Sequence, residues 1–351
     1  MLGIMSGTSL DGLDLCCCTF EHSQGIWTFR VEAAETVPYT DEWRGKLSDA
    51  YSYSGPELMR LHADYGKYIG TAARDFLSRH QLKPEAICSH GHTIFHNPAA
   101  GYTFQIGSGA VIAATSGTDT ICDLRSTDVA LGGQGAPLVP VGDRLLFGGH
   151  KFCLNLGGIA NISFDSGPNR VAFDICPVNM ALNFLASRKG LSYDDGGELA
   201  SAGRLIPELY DKLAALPFYT QPAPKSLGRE WFESAFLPLI NTTLFSAEDL
   251  LHTVVKHIAS CISRSVPVSP GTTMLVTGGG AHNTFLMECI ADHLEPTGVH
   301  AVVPDEEIVS FKEAIIFAFL GALRLTGQPN SLSSVTGASR NAVSGALYSG
   351  K

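Results

Sequence analysis

The chain has 351 residues and a formal net charge of -10, from 24 Lys and Arg against 34 Asp and Glu. This acidic balance argues against nucleic acid or an anionic membrane surface as the main partner, and no apolar run approaches the roughly 20 residues that cross a bilayer. The length exceeds the usual size of one domain, so we expect two lobes, residues 1–140 and 141–351. The nine cysteines form no zinc-type framework and no signal-peptide pattern opens the chain, which predicts reduced thiols and a cytoplasmic protein.

Residues 1–19 read as a hairpin whose wide, glycine-bearing tip lies between two apolar strands. Its glycines allow backbone N–H groups to turn toward an anion, and its hydroxyl groups add donors. Its carboxylates Asp11 and Asp14 are of the type that holds Mg²⁺, directly or through water. Alternatively, these polar side chains only cap their own turn. The tip residues are Gly7, Thr8, Ser9, Leu10, Asp11, Gly12 and Asp14.

The next elements are a strand at residues 26–37 and a helix that begins at a capping box, Ser54-Gly-Pro-Glu57, and runs to about Arg79. Residues 86–95 are predicted to form one strand with histidines on and after it. We favour hydrogen bonding to a ligand or the backbone over a zinc site, because no carboxylate or thiol is placed among them. The histidines are His90, His92 and His96.

A long polar, glycine-rich loop covers residues 123–140 between apolar flanks. Loops of this length inside a compact domain are commonly functional. Its side chains Asp123, Arg125, Asp128 and Gln134 are candidates for holding a charged or polyhydroxylated ligand. The alternative is a linker between lobes that is closed by its own salt bridge.

Residues 152–164 repeat the pattern of the opening hairpin, with Gly157 and Gly158 at the turn. A third strand, residues 170–173, is predicted to end at Asp174, and a helix follows. The repeated pattern suggests two related lobes that face a shared cleft.

The last part of the chain carries a further glycine turn. A buried strand at residues 274–277 opens into Gly278–Gly280, where a ribose or a flat ring can lie against the backbone, although a tight strand-to-helix turn has the same sequence. Residues 310–325 are predicted to form a helix with Glu313 in its first turn, where a carboxylate can also simply favour the helix dipole.

Seven motifs follow one another over nearly the whole chain. They are MSGTSLDGLD near the start, SHGHT at 89–93, DVALGGQGAPLVP at 128–140, LNLGGIANIS at 154–163, QPAPKSLGRE at 221–230, VTGGGAHN at 276–283 and SVTGAS at 334–339. Together they resemble the anhydro-N-acetylmuramic acid kinase family.

The resemblance implies an α/β, two-lobed, actin/hexokinase/Hsp70-like fold, which duplicates a ribonuclease H-like unit and holds ATP and Mg²⁺ in the cleft between the lobes. It also implies a cytoplasmic homodimer in bacteria that recycle their cell wall. In the family's reaction, water opens the 1,6-anhydro ring of 1,6-anhydro-N-acetylmuramic acid at C1 while O6 takes the γ-phosphoryl group of ATP. The product is N-acetylmuramic acid 6-phosphate, made in peptidoglycan recycling.

The same resemblance assigns roles to individual residues. Asp174 matches the general base that activates the water, and a carboxylate near its ordinary pKa is ionised at pH 7 and can accept a proton. Asp11 and Asp14 match the region of the phosphates and the metal. The remaining matches are Gly7 to Asp14 and Gly157 with Gly158 at the phosphates, Gly278, Gly279, Gly280 and Asn283 at the adenosine, and His90, Gly91, Asp128 and Glu313 at the sugar.

The chain departs from the family pattern directly after Asp174. The family has Thr-Gly-Pro-Gly-Asn there, whereas this chain has Ile175-Cys176-Pro177-Val178-Asn179. These side chains are expected to occupy space next to the sugar and to send the loop along another path. His92 also replaces an expected glutamine. Two alternatives therefore stay open: a kinase of the same fold for another sugar, and a homologue that binds a nucleotide or sugar without turnover.

Overall fold

The computed structural model describes residues 1–7 and 10–351. The chain forms two compact units, one made of Met1–Leu146 and Phe311–Lys351 and the other of Phe147–Ser310. Within the described residues, every helix is too short or too polar to span a bilayer.

Strands and helices alternate along the chain. The strands are β1 Leu2–Ser6, β2 Gly12–Ser23, β3 Ile26–Pro38, β4 Ile87–Ser89, β5 His92–Asn97, β6 Tyr102–Ile106, β7 Thr120–Cys122, β8 Phe152–Leu156, β9 Ile159–Ser166, β10 Asn169–Pro177, β11 Thr272–Thr277, β12 Val299–Val302 and β13 Ala346–Tyr348. The α-helices are α1 Asp41–Asp49, α2 Gly55–Arg79, α3 Gly109–Ser116, α4 Ser126–Ala130, α5 Val139–Leu145, α6 Asn179–Ser187, α7 Glu198–Ala202, α8 Pro207–Ala214, α9 Arg229–Trp231, α10 Leu237–Ile240, α11 Ala247–Arg264, α12 Thr284–Leu294, α13 Glu306–Leu325 and α14 Ser333–Thr336.

The sheets of the two units have the same strand order. Read from the third strand of each unit, the order is β3-β2-β1-β4-β7-β13 in the first unit and β10-β9-β8-β11-β12 in the second. Each sheet begins with an antiparallel meander of three strands, and each first strand then pairs in parallel with the strand that follows the meander in that sheet. A parallel fifth strand completes each set, and β13 adds an antiparallel edge to the first. This repeated order confirms the predicted duplicated ribonuclease H-like α/β fold.

The structural division of the chain differs from the predicted one at its C-terminal end. The first boundary lies after Leu146, near the predicted residue 140, but residues 311–351 belong to the first unit. Two contacts explain this. Ala314 and Ala318 of α13 lie against Gly3 of β1, and β13 pairs with β7. The sequence pattern predicted a helix at residues 310–325 but not which sheet this helix covers.

Each unit has its own apolar core. The first core packs α2, which begins at the predicted capping box of Ser54 and Glu57, against β1 and β2. The second core packs α11 against β8 and β11. The long helices thus cover the sheets whose strand ends carry the candidate site residues.

Three predicted elements differ in detail. The strand predicted at residues 86–95 is two strands, because Gly91 takes a φ of 72° and turns the chain between β4 and β5. The loop at residues 123–140 contains α4. The strand that carries Asp174 continues to Pro177 instead of ending at Asp174, with a bulge between Asp174 and Cys176.

We predict that Gly3→Ala strongly destabilises the first unit. A Cβ at this position would overlap the carbonyl oxygen of Ala314 and lie 2.6 Å from the amide nitrogen of Ala318. Backbone atoms of a packed helix cannot yield cheaply, so we expect a loss of about 3 kcal/mol or more in unfolding free energy, measured by urea titration. Gly45→Ala is the control, because Gly45 lies within α1 with open space around it, and there alanine should stabilise by up to about 1 kcal/mol. Equal stability of the wild type and Gly3→Ala would contradict this account of the packing.

Candidate functional site

The tip of the first hairpin has a strained backbone. Leu10 has a φ of 58°, a left-handed conformation that is uncommon for a residue with a side chain. Its N–H donates to the carbonyl of Gly7 over 3.5 Å. Strain of this kind collects at ligand-binding turns. The predicted hydroxyl donors Thr8 and Ser9 lie outside the described residues.

Gly12 is also required by the packing of the hairpin. It begins β2, where the Val37 carbonyl would lie 2.6 Å from an added Cβ. Its N–H donates to Asp11 Oδ1 over 3.0 Å, within the turn. Close strand pairing therefore requires this glycine.

Two carboxylates flank the start of β2. Asp11 is exposed, and Asp14 is half-buried and accepts a hydrogen bond of 2.6 Å from Thr36 Oγ1. Burial raises the pKa of Asp14, and the charge of Asp11 raises it further. Two neighbouring carboxylates that repel each other fit Mg²⁺, which commonly takes one or two protein carboxylates and completes its shell with water and phosphate oxygens. Among the described residues, no three His, Cys, Asp or Glu side chains cluster as metal ligands.

His90 is locked by its neighbours in the first unit. Arg125 donates to its Nε2 from Nε and Nη2, at 3.1 and 2.9 Å, so Nε2 is the acceptor. Nδ1 therefore carries the proton and donates to the Gly91 carbonyl at 3.0 Å. Burial, followed by the charge of Arg125, holds the pKa of His90 well below its usual range. The ring is a neutral positioning group.

His92 lies on a separate hydrogen-bonded chain. Its Nδ1 lies 2.9 Å from Ser6 Oγ, which is 2.7 Å from the hydroxyl of Tyr39, which in turn is 2.6 Å from that of Tyr65. Burial lowers the pKa of His92 to about 4, so the imidazole is neutral at pH 7. This chain of hydroxyls supports β1 just before the hairpin tip.

Asp128 is fully buried and engaged within the protein. Its Oδ2 accepts from the Gly135 N–H and its Oδ1 from Thr336 Oγ1, both at 2.8 Å. An added Cβ on Gly133 would overlap the carboxylate. Asp128 therefore holds the glycine-rich loop in shape, and this geometry gives no support to the predicted direct contact with sugar.

Glu313, on α13, faces a mixed set of charges. Burial raises its pKa, while Lys312 and Arg125 lower it and Asp14 raises it. Lys312 itself forms a buried pair with Asp143 at 2.8 Å. The first unit thus brings together Asp14, Arg125 and Glu313, three of the residues that the sequence singled out.

Asp174, in the second unit, is held by the segment at residues 225–227. Its backbone N–H donates to the Lys225 carbonyl at 2.9 Å. Its carboxylate Oδ2 accepts from Ser226 Oγ at 2.9 Å and from the Leu227 N–H at 2.8 Å. Burial raises the pKa of Asp174, and these two hydrogen bonds partly offset that effect. Within the described residues no hydrogen bond reaches Oδ1, so this oxygen is the one that can accept a proton.

The second glycine turn is joined to the start of α6. Gly157 and Gly158 accept hydrogen bonds from the N–H groups of Asn179 and Val178 at 3.2 and 2.8 Å. The Asn179 side chain donates to the Leu156 carbonyl at 3.1 Å. These hydrogen bonds use the first N–H groups of α6 and fix the shape of the glycine turn.

The three glycines after β11 differ in how much room a side chain would have. Gly278 has a φ of 84°, and an added Cβ on Gly280 would lie 2.7 Å from that of Leu156. Gly279 is the exposed member and has the most room, so it is the one that can face a ligand. Asn283 uses its side chain within the protein, where it accepts from the Leu286 N–H at 2.9 Å and caps α12.

The residues that depart from the family pattern point into the core. Ile175, Cys176 and Val178 are 1%, 0% and 0% exposed and belong to the apolar core of the second unit. The bulge in β10 takes up the altered backbone path. The structure thus gives these side chains a packing role, where the sequence predicted that they crowd the sugar.

Sequence reasoning missed the partners that fix the predicted residues. Ser226 and Leu227, which hold Asp174, lie in the motif QPAPKSLGRE, and Thr336, which holds Asp128, lies in SVTGAS. Both motifs stood out in the sequence without an assigned task. Pairing them with their targets requires the fold.

Comparison with known proteins identifies the family. A family model described as anhydro-N-acetylmuramic acid kinase matches residues 1–350. The anhydro-N-acetylmuramic acid kinase of Pseudomonas fluorescens strain Pf0-1 is 38% identical over 99% of this chain and 98% of that protein, and the one of Aliivibrio fischeri strain ES114 is 36% identical over the same shares. Among solved structures, an activator of the 2-hydroxyisocaproyl-CoA dehydratase from Clostridium difficile with bound ADPNP matches with a TM-score of 0.43 and 12% identity, over 93% of this chain and 97% of that one. The chain belongs to the anhydro-N-acetylmuramic acid kinase family.

Proposed function

We propose that this protein is a kinase that opens the 1,6-anhydro ring of 1,6-anhydro-N-acetylmuramic acid with water and phosphorylates O6 with ATP. The products are N-acetylmuramic acid 6-phosphate and ADP, and the reaction serves peptidoglycan recycling. The observation that carries the proposal is the fixed carboxylate of Asp174, with two hydrogen bonds on one oxygen and the other oxygen available as a base. We further propose a cytoplasmic location and a homodimer.

Asp174 acts first on water in this proposal. Its Oδ1 takes a proton from water as the water oxygen bonds to C1 of the sugar. The bond from C1 to O6 then breaks, and O6 takes the γ-phosphoryl group of ATP. The chain contributes mainly alignment and charge compensation, as is usual for phosphoryl transfer.

The glycine turns are proposed to bind the phosphates and the adenosine. Backbone N–H groups of the first hairpin tip and of Gly157 and Gly158 suit the phosphates, and exposed Gly279 suits the adenosine. Asp11 and Asp14 would hold Mg²⁺, which when bound offsets charge on the transferred phosphoryl group.

His90, Gly91 and Glu313 are proposed to line the sugar side. The Nδ1–H of His90 donates a hydrogen bond to the Gly91 carbonyl, and Nε2 accepts one from Arg125. The ring therefore fixes this turn. Asp128 supports the sugar side indirectly through the shape of its loop.

A kinase of the same fold for another sugar is the main alternative. The argument for this alternative is that Ile175, Cys176 and Val178 replace the family's residues. Because these side chains are buried in the core, they give little support to an altered sugar site. A homologue without turnover is the other alternative, and it is tested by the same experiments.

We predict that Asp174→Asn lowers turnover by at least about 100-fold, because the amide cannot accept the water proton. The reaction is run in ¹⁸O water, and mass spectrometry of the sugar should find one ¹⁸O in the wild-type product. Asp292→Asn, an exposed substitution on α12, is the control and should keep full turnover. Phosphorylated product without ¹⁸O would contradict hydrolytic ring opening, and no product with any sugar would favour the homologue without turnover.

We predict an acid limb in the pH profile of kcat/KM, with its midpoint above the ordinary aspartate pKa of 3.8. The carboxylate form is the base, so activity is present above the pKa of Asp174 and is lost as pH falls through it. Ser226→Ala removes a hydrogen bond that lowers this pKa, so the limb should shift to higher pH. Ser187→Ala, which removes an exposed serine that donates to the Phe184 carbonyl, should leave the limb in place. An unshifted limb in Ser226→Ala would show that another group titrates.

We predict that Ile175→Thr, which restores the family's residue, changes stability and leaves sugar preference unchanged. It places a hydroxyl in an apolar core and should cost about 1–3 kcal/mol in urea unfolding. The kcat/KM ratio between 1,6-anhydro-N-acetylmuramic acid and a 1,6-anhydro sugar without the lactyl group measures preference. A changed ratio at unchanged stability would mean that position 175 contacts the sugar.

A further inference from the structure

A cavity of about 250 Å³ in the second unit contains a reactive set of side chains that the proposed kinase chemistry does not use. Phe173 and Ile175 form part of its apolar wall. Its polar lining includes Lys225, Arg264 and the thiol of Cys261. The cavity therefore gives small molecules access to a cysteine that is otherwise buried.

Cys261 has the surroundings of a stabilised thiolate. His257 lies one helical turn earlier on α11, with Nε2 3.4 Å from the sulfur, and Arg264 donates from Nη2 over 3.5 Å. Cys176 is buried in the same apolar core as Cys261. The neighbouring Cys176 thiol and His257 hold the pKa of Cys261 well below its usual range against the effect of burial, whereas burial raises the pKa of Cys176. A thiol with a lowered pKa and a thiol with a raised pKa therefore lie in one core.

An unpaired polar atom also lies at this cavity. The hydroxyl oxygen of Tyr219, a lining residue, is buried and has no hydrogen-bond partner among the described residues. It is close enough to Cys176, Cys261 and Arg264 for their charges to affect its pKa, which burial raises. A buried hydroxyl without a partner is costly, and a small polar guest would satisfy it.

We propose that Cys261 and Cys176 form a peroxide-sensing dithiol, in which Cys261 is the attacking thiolate and Cys176 is the resolving thiol. The Cys261 sulfur attacks one oxygen of a hydroperoxide, the O–O bond breaks, and the leaving hydroxide takes a proton and departs as water. The Cys176 thiol then attacks the resulting sulfenic acid, forms the S–S bond and releases a second water. In total, two thiols and one hydrogen peroxide give one disulfide and two waters.

The position of Cys176 couples this chemistry to the kinase site, and this part of the inference rests on the proposed function. Cys176 lies two residues after Asp174 on β10, directly after the bulge. The backbone carbonyl of Lys225, a residue that lines the cavity, accepts a hydrogen bond from the N–H of Asp174. Lys225 also directly precedes Ser226 and Leu227, which hold the Asp174 carboxylate. An S–S bond from Cys176 to α11 constrains this strand, so oxidation should lower kinase activity.

The first experiment maps the thiols without using kinase activity. The full-length protein is treated at pH 7 with equimolar hydrogen peroxide, and cysteine-containing peptides are identified by mass spectrometry. We expect a Cys176–Cys261 disulfide, and about ten-fold faster oxidation at Cys261 than at Cys122. Cys122 is the matched control because it is the more exposed thiol, yet burial raises its pKa to about 11. Oxidation of Cys261 no faster than of Cys122 overturns the proposal, as does Cys261 sulfinic acid without a disulfide.

Two variants separate the roles of the cysteines. Cys176→Ser should still form a sulfenic acid at Cys261, which dimedone traps, but no disulfide. Cys261→Ser should form neither, and dimedone capture at Cys176 in that variant would overturn the assignment of the attacking thiol.

Kinase assays then test the coupling. Peroxide should reduce wild-type turnover at least about five-fold, a reductant should restore it, and Cys261→Ser should be insensitive. A disulfide that leaves turnover unchanged overturns the coupling. A chain with no turnover before oxidation refutes the proposed function alone, because the mass-spectrometric results decide the dithiol independently.

Discussion

The bulge in β10 is the constraint on which the second unit's half of the candidate site depends. Asp174 pairs with Asn161 and Cys176 with the adjacent Ala160, so Ile175 is the additional residue on the bulged strand. A bulge re-aims the side chains next to it. On one side of the bulge, the Asp174 carboxylate is held by the segment at residues 225–227. Ile175 and Cys176, which follow it, are buried in the apolar core. The proposed catalytic base and the core packing in this unit therefore depend on one irregularity of the backbone.

The first unit reaches its charge arrangement by a different route. Its candidate residues come from distant points of the chain, namely a hairpin, the turn at Gly91, the loop around Arg125 and the helix of Glu313. Burial lowers the pKa values of His90 and His92, so both rings are neutral. The electric field around them therefore comes mainly from Arg125 and from the carboxylates of Asp14 and Glu313. A neutral ring such as that of His90 donates one hydrogen bond and accepts others in fixed directions, so it can hold the turn at Gly91 without adding a charge.

Much of the fold was predictable because local patterns determined it. The capping box at Ser54, the alternating strands of both hairpins and the repeated glycine turns each agree with the structure. The failures involve information that no local pattern holds. A single positive φ at Gly91 divides a predicted strand, and the shift of register at Asp174 extends another. The direction in which Asp128, Ile175 or Cys176 points depends on partners far along the chain, such as Thr336 and Cys261.

The interrupted sequence of the first unit has a consequence for how the protein is made. Residues 147–310 are contiguous and complete their own sheet, whereas the first unit lacks β13 and the part of α13 that lies against β1 until residues 311–351 are added. A ribosome that releases the chain from its N-terminus therefore completes the second unit before the first. The strands translated earliest wait longest for their full set of neighbours, and in that interval β1 and the cysteine-rich β2 lack the helix that covers them.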